Sequence, residues 1–264
     1  MNATQTVHAV VSEKEWLQAR KALLEQEKAL TRQRDEISRR RRELPWVKVE
    51  KDYVFEGPMG RVAFADLFAG RSQLIIYHFM LGPDWEEGCK SCSYLADHFD
   101  ATRIHLAHRD VTFAVVSQAP MPRIAAFQKR MGWRFPWVSA FDNSFQTDYG
   151  VHFTQAELAG EINYNYGKTR FPVEEAPGLS VFYKDEAGNI FHTYSTYARG
   201  LDALVGTYQF LDLVPKGRDE AGLAFSMAWV RHHDKYGDDY VLNPTAGYEK
   251  PGEMGKCCEH KEGS

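Results

Sequence analysis

Four cysteines in 264 residues are too few for a disulfide-stapled scaffold. No apolar run approaches the length that crosses a bilayer. The opening MNATQTVHAVVSEKEW has no basic segment followed by a long apolar one, so no secretory signal is expected. Charge of one sign is also scarce: the formal net charge is −4, which argues against a polyanion as partner for the whole surface. Internal repeats are absent. These absences point to a cytoplasmic chain with neither a nucleic-acid nor a membrane partner. What is present is a globular composition, 44% hydrophobic, with aromatics at 13% concentrated between Trp133 and Tyr197.

Glycine and proline are missing from residues 12–44, and that stretch reads as one charged helix. Ser12 and Glu15 form a Ser-x-x-Glu capping box, and Pro45 ends the run. Trp16, Leu23, Leu30, Ile37 and Leu44 recur every seven residues, but the partner core positions include Gln26, Gln33 and Arg40. Only half of a coiled-coil pattern is therefore present. The helix is expected to lie on a surface, its own domain or a second subunit, and a homo-oligomer, foremost a dimer, is the expected assembly. Arg39 to Arg42 suit the negative end of the helix dipole better than a nucleic-acid patch.

The chemistry-bearing stretch runs from Leu74 to Phe99. Leu74 to Leu81 is an apolar run of strand length, Gly82, Pro83 and Gly88 bracket a loop, and Cys89 and Cys92 open a helix with Leu95 and Phe99 on one face. A Cys-x-x-Cys pair at a helix start has a redox rationale. Free N–H groups there favour a thiolate, one sulfur attacks a disulfide, and the other resolves the mixed intermediate. Lys90 supports the thiolate, whereas Asp84, Glu86 and Glu87 oppose it. Cys92, one turn deeper beside Leu95, is expected to keep its proton, which makes Cys89 the attacking thiol. Purely structural thiols, or half of a zinc site, are the alternatives. For zinc a second pair is needed, and the remaining cysteines, Cys257 and Cys258, are adjacent and distant in sequence.

After Pro45 the reading is a short strand or two with a turn at Gly57 to Gly60, the strand of Leu74, the Cys helix, a strand at Val111 to Ser117, and a helix at Arg123 to Met131. Residues 143–176 read as an irregular aromatic insertion. Strands 179–183 and 190–197 form a hairpin around Asp185 to Asn189. Helices are expected at Leu201 to Val214 and at Ala221 to His232, followed by a disordered tail. The fold class is α/β, a mixed central sheet covered by helices with a long N-terminal helical arm. The expected divisions are 1–44 for the arm, 45–236 for the domain and 237–264 for a flexible tail.

On the segments RRRRELPWV, YHFMLGPDWEEGCKSCS, RMGWRFPWVSAFDNSF and GLSVFYKDEAGNIFHTYSTYARGLD, the chain resembles the thioredoxin-like superfamily. Within it the chain is similar, over nearly its whole length, to a mainly bacterial family of predicted dithiol-disulfide oxidoreductases, the domain-of-unknown-function family 899. The resemblance implies Cys89 as nucleophile, Cys92 as resolving thiol, and Pro177 as the proline facing them after a cis Ala176–Pro177 bond, with Phe171–Pro172 as the second candidate. It also implies a protein or small-molecule disulfide or thiol as substrate and no cofactor. Departures from the thioredoxin pattern are Gly88 in place of Trp before the pair, and Lys-Ser in place of Gly-Pro within it. The peroxiredoxin Thr or Ser three residues before the cysteine is replaced by Glu86.

Three further groups invite roles. His192 in the hairpin is a proton-shuttle candidate, though a histidine in an aromatic strand is more often a structural hydrogen-bonding residue. His232, His233 and Asp234 carry metal-ligand chemistry but read better as a polar helix end. Cys257, Cys258 and His260 could exchange with the Cys89 pair or take a soft metal. The rival readings of the whole chain are a non-enzymatic thioredoxin-fold interaction module and soft-metal handling through Cys-x-x-Cys and the tail.

Overall fold

In a computed structural model, residues 8–237 are described. The chain divides into two compact units, with the boundary between Trp46 and Val47. Taken by itself, the first is the helix α1 (Glu13–Arg42), and no residue of it is buried. Ser12 caps it: the Glu15 N–H donates to Ser12 Oγ at 3.3 Å, and the Ser12 N–H donates to the Glu15 carboxylate at 3.0 Å. At its other end Arg39 and Arg40 both bind the Glu36 carboxylate, at 2.8 and 2.7 Å.

The second unit is built on ten strands: β1 (Val47–Lys48), β2 (Val54–Gly57), β3 (Gly60–Ala63), β4 (Gln73–His78), β5 (Val111–Ser117), β6 (Trp137–Ser139), β7 (Ile162–Tyr164), β8 (Gly167–Thr169), β9 (Gly178–Lys184) and β10 (Ile190–Tyr197). Its helices are α2 (Lys90–Ala96), α3 (Phe99–Ala107), α4 (Met121–Met131) and the short α5 (Phe145–Asp148), α6 (Gln155–Leu158) and α7 (Gly206–Leu211). Eight strands form one mixed sheet in the order β1-β10-β9-β4-β5-β6-β2-β3. The central strands β4, β5 and β6 run parallel, linked through helices, and the β9–β10 hairpin lies antiparallel beside β4. This β10-β9-β4-β5 centre is the thioredoxin-like arrangement expected from the sequence.

Alternation along β4 sorts the core. Leu74 and Ile76 face one apolar layer with Phe64, Phe68, Phe145 and Phe182. Tyr77 faces the other, with Phe79, Phe99, Phe127, Trp133 and both cysteines. A β4 strand buried on both faces explains its nearly unbroken apolar run.

The segment expected to be an irregular insertion carries α5, α6 and the β7–β8 hairpin, and closes a small core of its own around Val151, Phe153, Ile162 and Tyr164. Ala221 to His232 is not a helix. Asp219 and Met227 take left-handed φ values of 50° and 67°, which break any helical run. The segment is instead gathered around the Glu220 carboxylate, whose Oε1 accepts from the Tyr208 hydroxyl at 2.7 Å, the Met227 N–H at 3.0 Å and Trp229 Nε1 at 2.7 Å.

Candidate active site

β4 ends at His78, and the buried residues Phe79, Met80 and Leu81 carry the chain on to the loop before α2. The loop folds back on itself: the Trp85 N–H donates to Gly82 O at 3.2 Å, and the Cys89 N–H donates to Met80 O at 3.0 Å. Gly88 makes this turn possible by lacking a side chain. A Cβ there would lie 2.5 Å from Phe79 Cε1 and 2.6 Å from Phe127 Cε1. Cys89 is then the N-cap residue of α2, and Cys92 lies within its first turn. The Cys89 carbonyl accepts both the Ser93 N–H and the Ser93 hydroxyl, each at 2.9 Å.

Both cysteines are thiols and both are buried, at 3% and 2% exposure. Burial pushes the Cys92 thiol well above the ordinary value, and the hydrogen bond and charge interaction with Cys89 add to the effect. The Tyr77 hydroxyl and the Met80 N–H, directed at the Cys92 sulfur, work against it. Tyr77 is itself held as a neutral phenol, first by its burial and then by the neighbouring sulfurs. Cys92 is therefore held as a thiol. The acidic residue closest in sequence to the pair, Glu87, is matched by two cations: its carboxylate pairs with Arg130 and with Lys235 at 2.8 Å.

Cys89, Cys92 and Pro177 line one cavity of about 630 Å³, together with Tyr77, Met80 and Tyr208. The three residues singled out in the sequence are thus brought together. The Ala176–Pro177 bond, however, is not cis, and neither is Phe171–Pro172; there is no cis peptide among the described residues. Trans is the intrinsically favoured isomer even before proline. Contacts on both sides hold the segment in it: the Ala176 N–H donates to Val151 O at 2.9 Å, and Pro177 O accepts the Tyr164 hydroxyl at 2.6 Å.

His192 is not among the residues lining this cavity. It ends a buried polar chain across the sheet: His192 Nε2 to Ser195 Oγ at 2.7 Å, Ser195 to Ser180 at 2.7 Å, Ser180 to His78 Nε2 at 2.8 Å, and His78 Nδ1 to Gln146 Oε1 at 2.6 Å. The structural role weighed for His192 is the one its contacts describe. His232 Nε2 donates to Gly88 O at 2.8 Å, bracing the residue before Cys89, and His233 bonds Asp97 at 2.7 Å. No cluster of three or more potential metal ligands occurs among the described residues. Cys257, Cys258 and His260 lie outside them.

Sequence reasoning missed Tyr77, and it weighed His232 only as a metal ligand or part of a polar helix end, not as a partner of Gly88. Tyr77 could have been found, because strand alternation from Ile75 places it with Phe79 on the face that α2 covers. His232 had no local signal, since its contact to Gly88 spans 144 positions.

Among solved structures, the chain is similar in shape to peroxiredoxin Q from Xanthomonas campestris, at 15% identity and a TM-score of 0.41, over 59% of this chain and 88% of that one. It is similar to peroxidoxin BcpB from Mycobacterium tuberculosis at 12% identity and a TM-score of 0.41, over 62% and 95% of the two chains. Among curated proteins none matches. Residues 5–236 match one sequence family across the helix, the Cys-x-x-Cys segment and the hairpin alike, so the chain belongs to the family described as bacterial protein of unknown function (DUF899).

Proposed function

We propose that Cys89 and Cys92 are a redox-active dithiol and that the chain is a dithiol-disulfide oxidoreductase. One observation carries the reading: two neighbouring thiols line one cavity together with Tyr77, whose hydroxyl is directed at the Cys92 sulfur. Cys89 attacks and Cys92 resolves, with Pro177 forming part of the wall against which the substrate's sulfur is presented. Tyr77 holds the Cys92 sulfur in place and keeps a proton donor beside the pair.

The test is alkylation followed by mass analysis, with trapping. Cys89 is expected to react first with iodoacetamide at pH 7. Cys92→Ser is expected to accumulate mixed disulfides and Cys89→Ser to accumulate none. Prior alkylation of Cys92, or trapping by Cys89→Ser alone, reverses the roles. If neither variant traps anything, the interaction-module reading takes its place.

The arm supports a second proposal, a dimer closed along the Trp16–Leu44 stripe, because apolar side chains at this spacing are stabilised by a matching surface. Leu23→Glu combined with Leu30→Glu in the full chain is expected to halve the mass measured by light scattering. An unchanged mass removes the arm from the interface.

A further inference from the structure

Resting on the redox reading above, the chemistry of the cavity specifies what can reach the sulfurs. We infer that the substrate is a low-molecular-weight, uncharged and largely apolar disulfide, and that anionic disulfides and folded proteins are excluded.

Access comes first. Both cysteines are at most 3% exposed, so a disulfide on a protein surface cannot be laid against them without opening the fold. A cavity of about 630 Å³ reaches them instead, within the range of sites that enclose small organic molecules.

The walls set polarity. Met80, Leu95, Leu201 and Val205 supply apolar surface to the cavity that the two cysteines line. Among the described residues five charged side chains also line the cavity, and they are arranged against one another. Arg218 binds Asp202 at 3.0 Å and Asp212 at 2.8 Å while lying 3.8 Å over the Tyr208 ring. Arg199 binds Asp202 at 3.2 Å. Glu220 is taken by its three donors. The partly buried guanidinium, Arg218, is thus occupied by two carboxylates, Arg199 is largely exposed, and among the described residues carboxylates outnumber guanidiniums in the lining by three to two. A carboxylate-bearing disulfide would have to break an existing ion pair or stand beside uncompensated negative charge. A neutral disulfide meets neither cost.

The reaction balances within the site. The Cys89 thiolate attacks one sulfur of R–S–S–R, the S–S bond breaks, and the first RS⁻ leaves and takes up a proton. Cys92 then loses its proton and attacks Cys89–S–R, the new bond closes between Cys89 and Cys92, and the second thiol is released. The dithiol is oxidised by two electrons and the substrate is reduced to two thiols. A single turnover of pre-reduced protein needs no other reductant.

The experiment measures anaerobic single-turnover oxidation of the reduced full chain by a matched series. The probes are neutral bis(2-hydroxyethyl) disulfide, dianionic 3,3′-dithiodipropionate and insulin as a protein disulfide, each rate divided by the rate with free dithiothreitol. The normalised rate for the neutral probe is expected to exceed each of the other two at least tenfold. In Asp212→Asn, with one carboxylate fewer, the ratio of neutral to dianion is expected to fall at least threefold. A ratio below tenfold for either comparison overturns the substrate assignment and leaves the redox reading standing. Failure of all three probes to oxidise thiols that alkylate normally removes the redox reading itself.

Discussion

Lowering the pH from 6.5 to about 4 is expected to cost the folded protein about 3 kcal/mol through His78 alone. His78 is fully buried, and burial brings its pKa down from 6.5 to about 4, against a smaller opposing effect of its hydrogen bond to Gln146. The interval of about 2.5 pH units, at about 1.36 kcal/mol each, gives that figure. The sign follows from proton counting. Between these values the unfolded chain binds a proton at this position and the folded chain does not, so stability is complete above 6.5 and is lost as the pH falls toward 4. His192 and His232 are also lowered by burial and act in the same direction. His152 acts the other way: its bond to the Glu175 carboxylate raises its pKa, so its contribution is present at low pH and is lost as the pH rises through that raised value. His78→Gln separates these effects. Urea midpoints measured from pH 7 to pH 4 are expected to fall less steeply in the variant, by an amount worth about 3 kcal/mol. Parallel pH profiles for the two proteins would sink the assignment.

The second large effect is expected at Gly88. Its φ is not left-handed, so the backbone would accept alanine; the obstacle is space. The methyl would overlap Phe79 Cε1 and Cζ, at 2.5 and 2.8 Å, and Phe127 Cε1 at 2.6 Å. Neither ring can retreat. Phe79 is fully buried with Trp137 at 4.7 Å and Trp133 at 5.9 Å, and Phe127 packs against Trp133 and His232. Gly88→Ala is therefore expected to destabilise by about 1–3 kcal/mol, the usual consequence of overpacking. Relief of the clash must move the chain at Gly88, which is bonded directly to Cys89. Alkylation of Cys89 should change rate under conditions where the variant is still folded. Gly222→Ala is the control, since nothing lies within 4 Å of the added atom and its φ is ordinary; it should shift stability by no more than about 0.5 kcal/mol. Equal denaturation midpoints for the two variants would refute the packing argument.

The parts of the fold legible in the sequence are those fixed by local pattern. The capping box of Ser12 and Glu15, the Asp185–Asn189 turn whose Asp185 carboxylate accepts the Asn189 N–H at 2.8 Å, and the strand–loop–helix around Cys89 are each decided by neighbours in the chain. The order of elements then led to the mixed sheet. Ala221 to His232 misled because its apolar residues have helical spacing, whereas its conformation is decided by a carboxylate that collects three donors from different directions. The site shows the same division. Cys89 and Cys92 are identified by their spacing, and Pro177 does reach the same cavity. The isomer of the bond before Pro177 was not legible, because Val151 and Tyr164, which hold the segment on either side, belong to the insertion that seemed patternless. The charged lining of the cavity was equally hidden. Asp202, Asp212, Arg218 and Glu220 look like ordinary surface residues until the chain brings them over the cysteine helix.

The bulge in β10 between His192 and Tyr194 has a consequence for self-association through the sheet edge. Among the described residues, Val47 and Lys48 pair with the outer side of this eight-residue strand and the Val49 N–H donates to Ile190 O at 2.9 Å, so the rest of the strand would otherwise be a template for a foreign strand. The bulge interrupts that template, and side chains occupy the acceptors around it. His192 Nε2 lies 3.1 Å from Tyr194 O, and the Tyr166 hydroxyl donates to Ser195 O at 3.0 Å. A strand approaching from another molecule would find a kinked ladder with acceptors already filled, so β10 resists cross-β growth where its length and aromatic content would favour it.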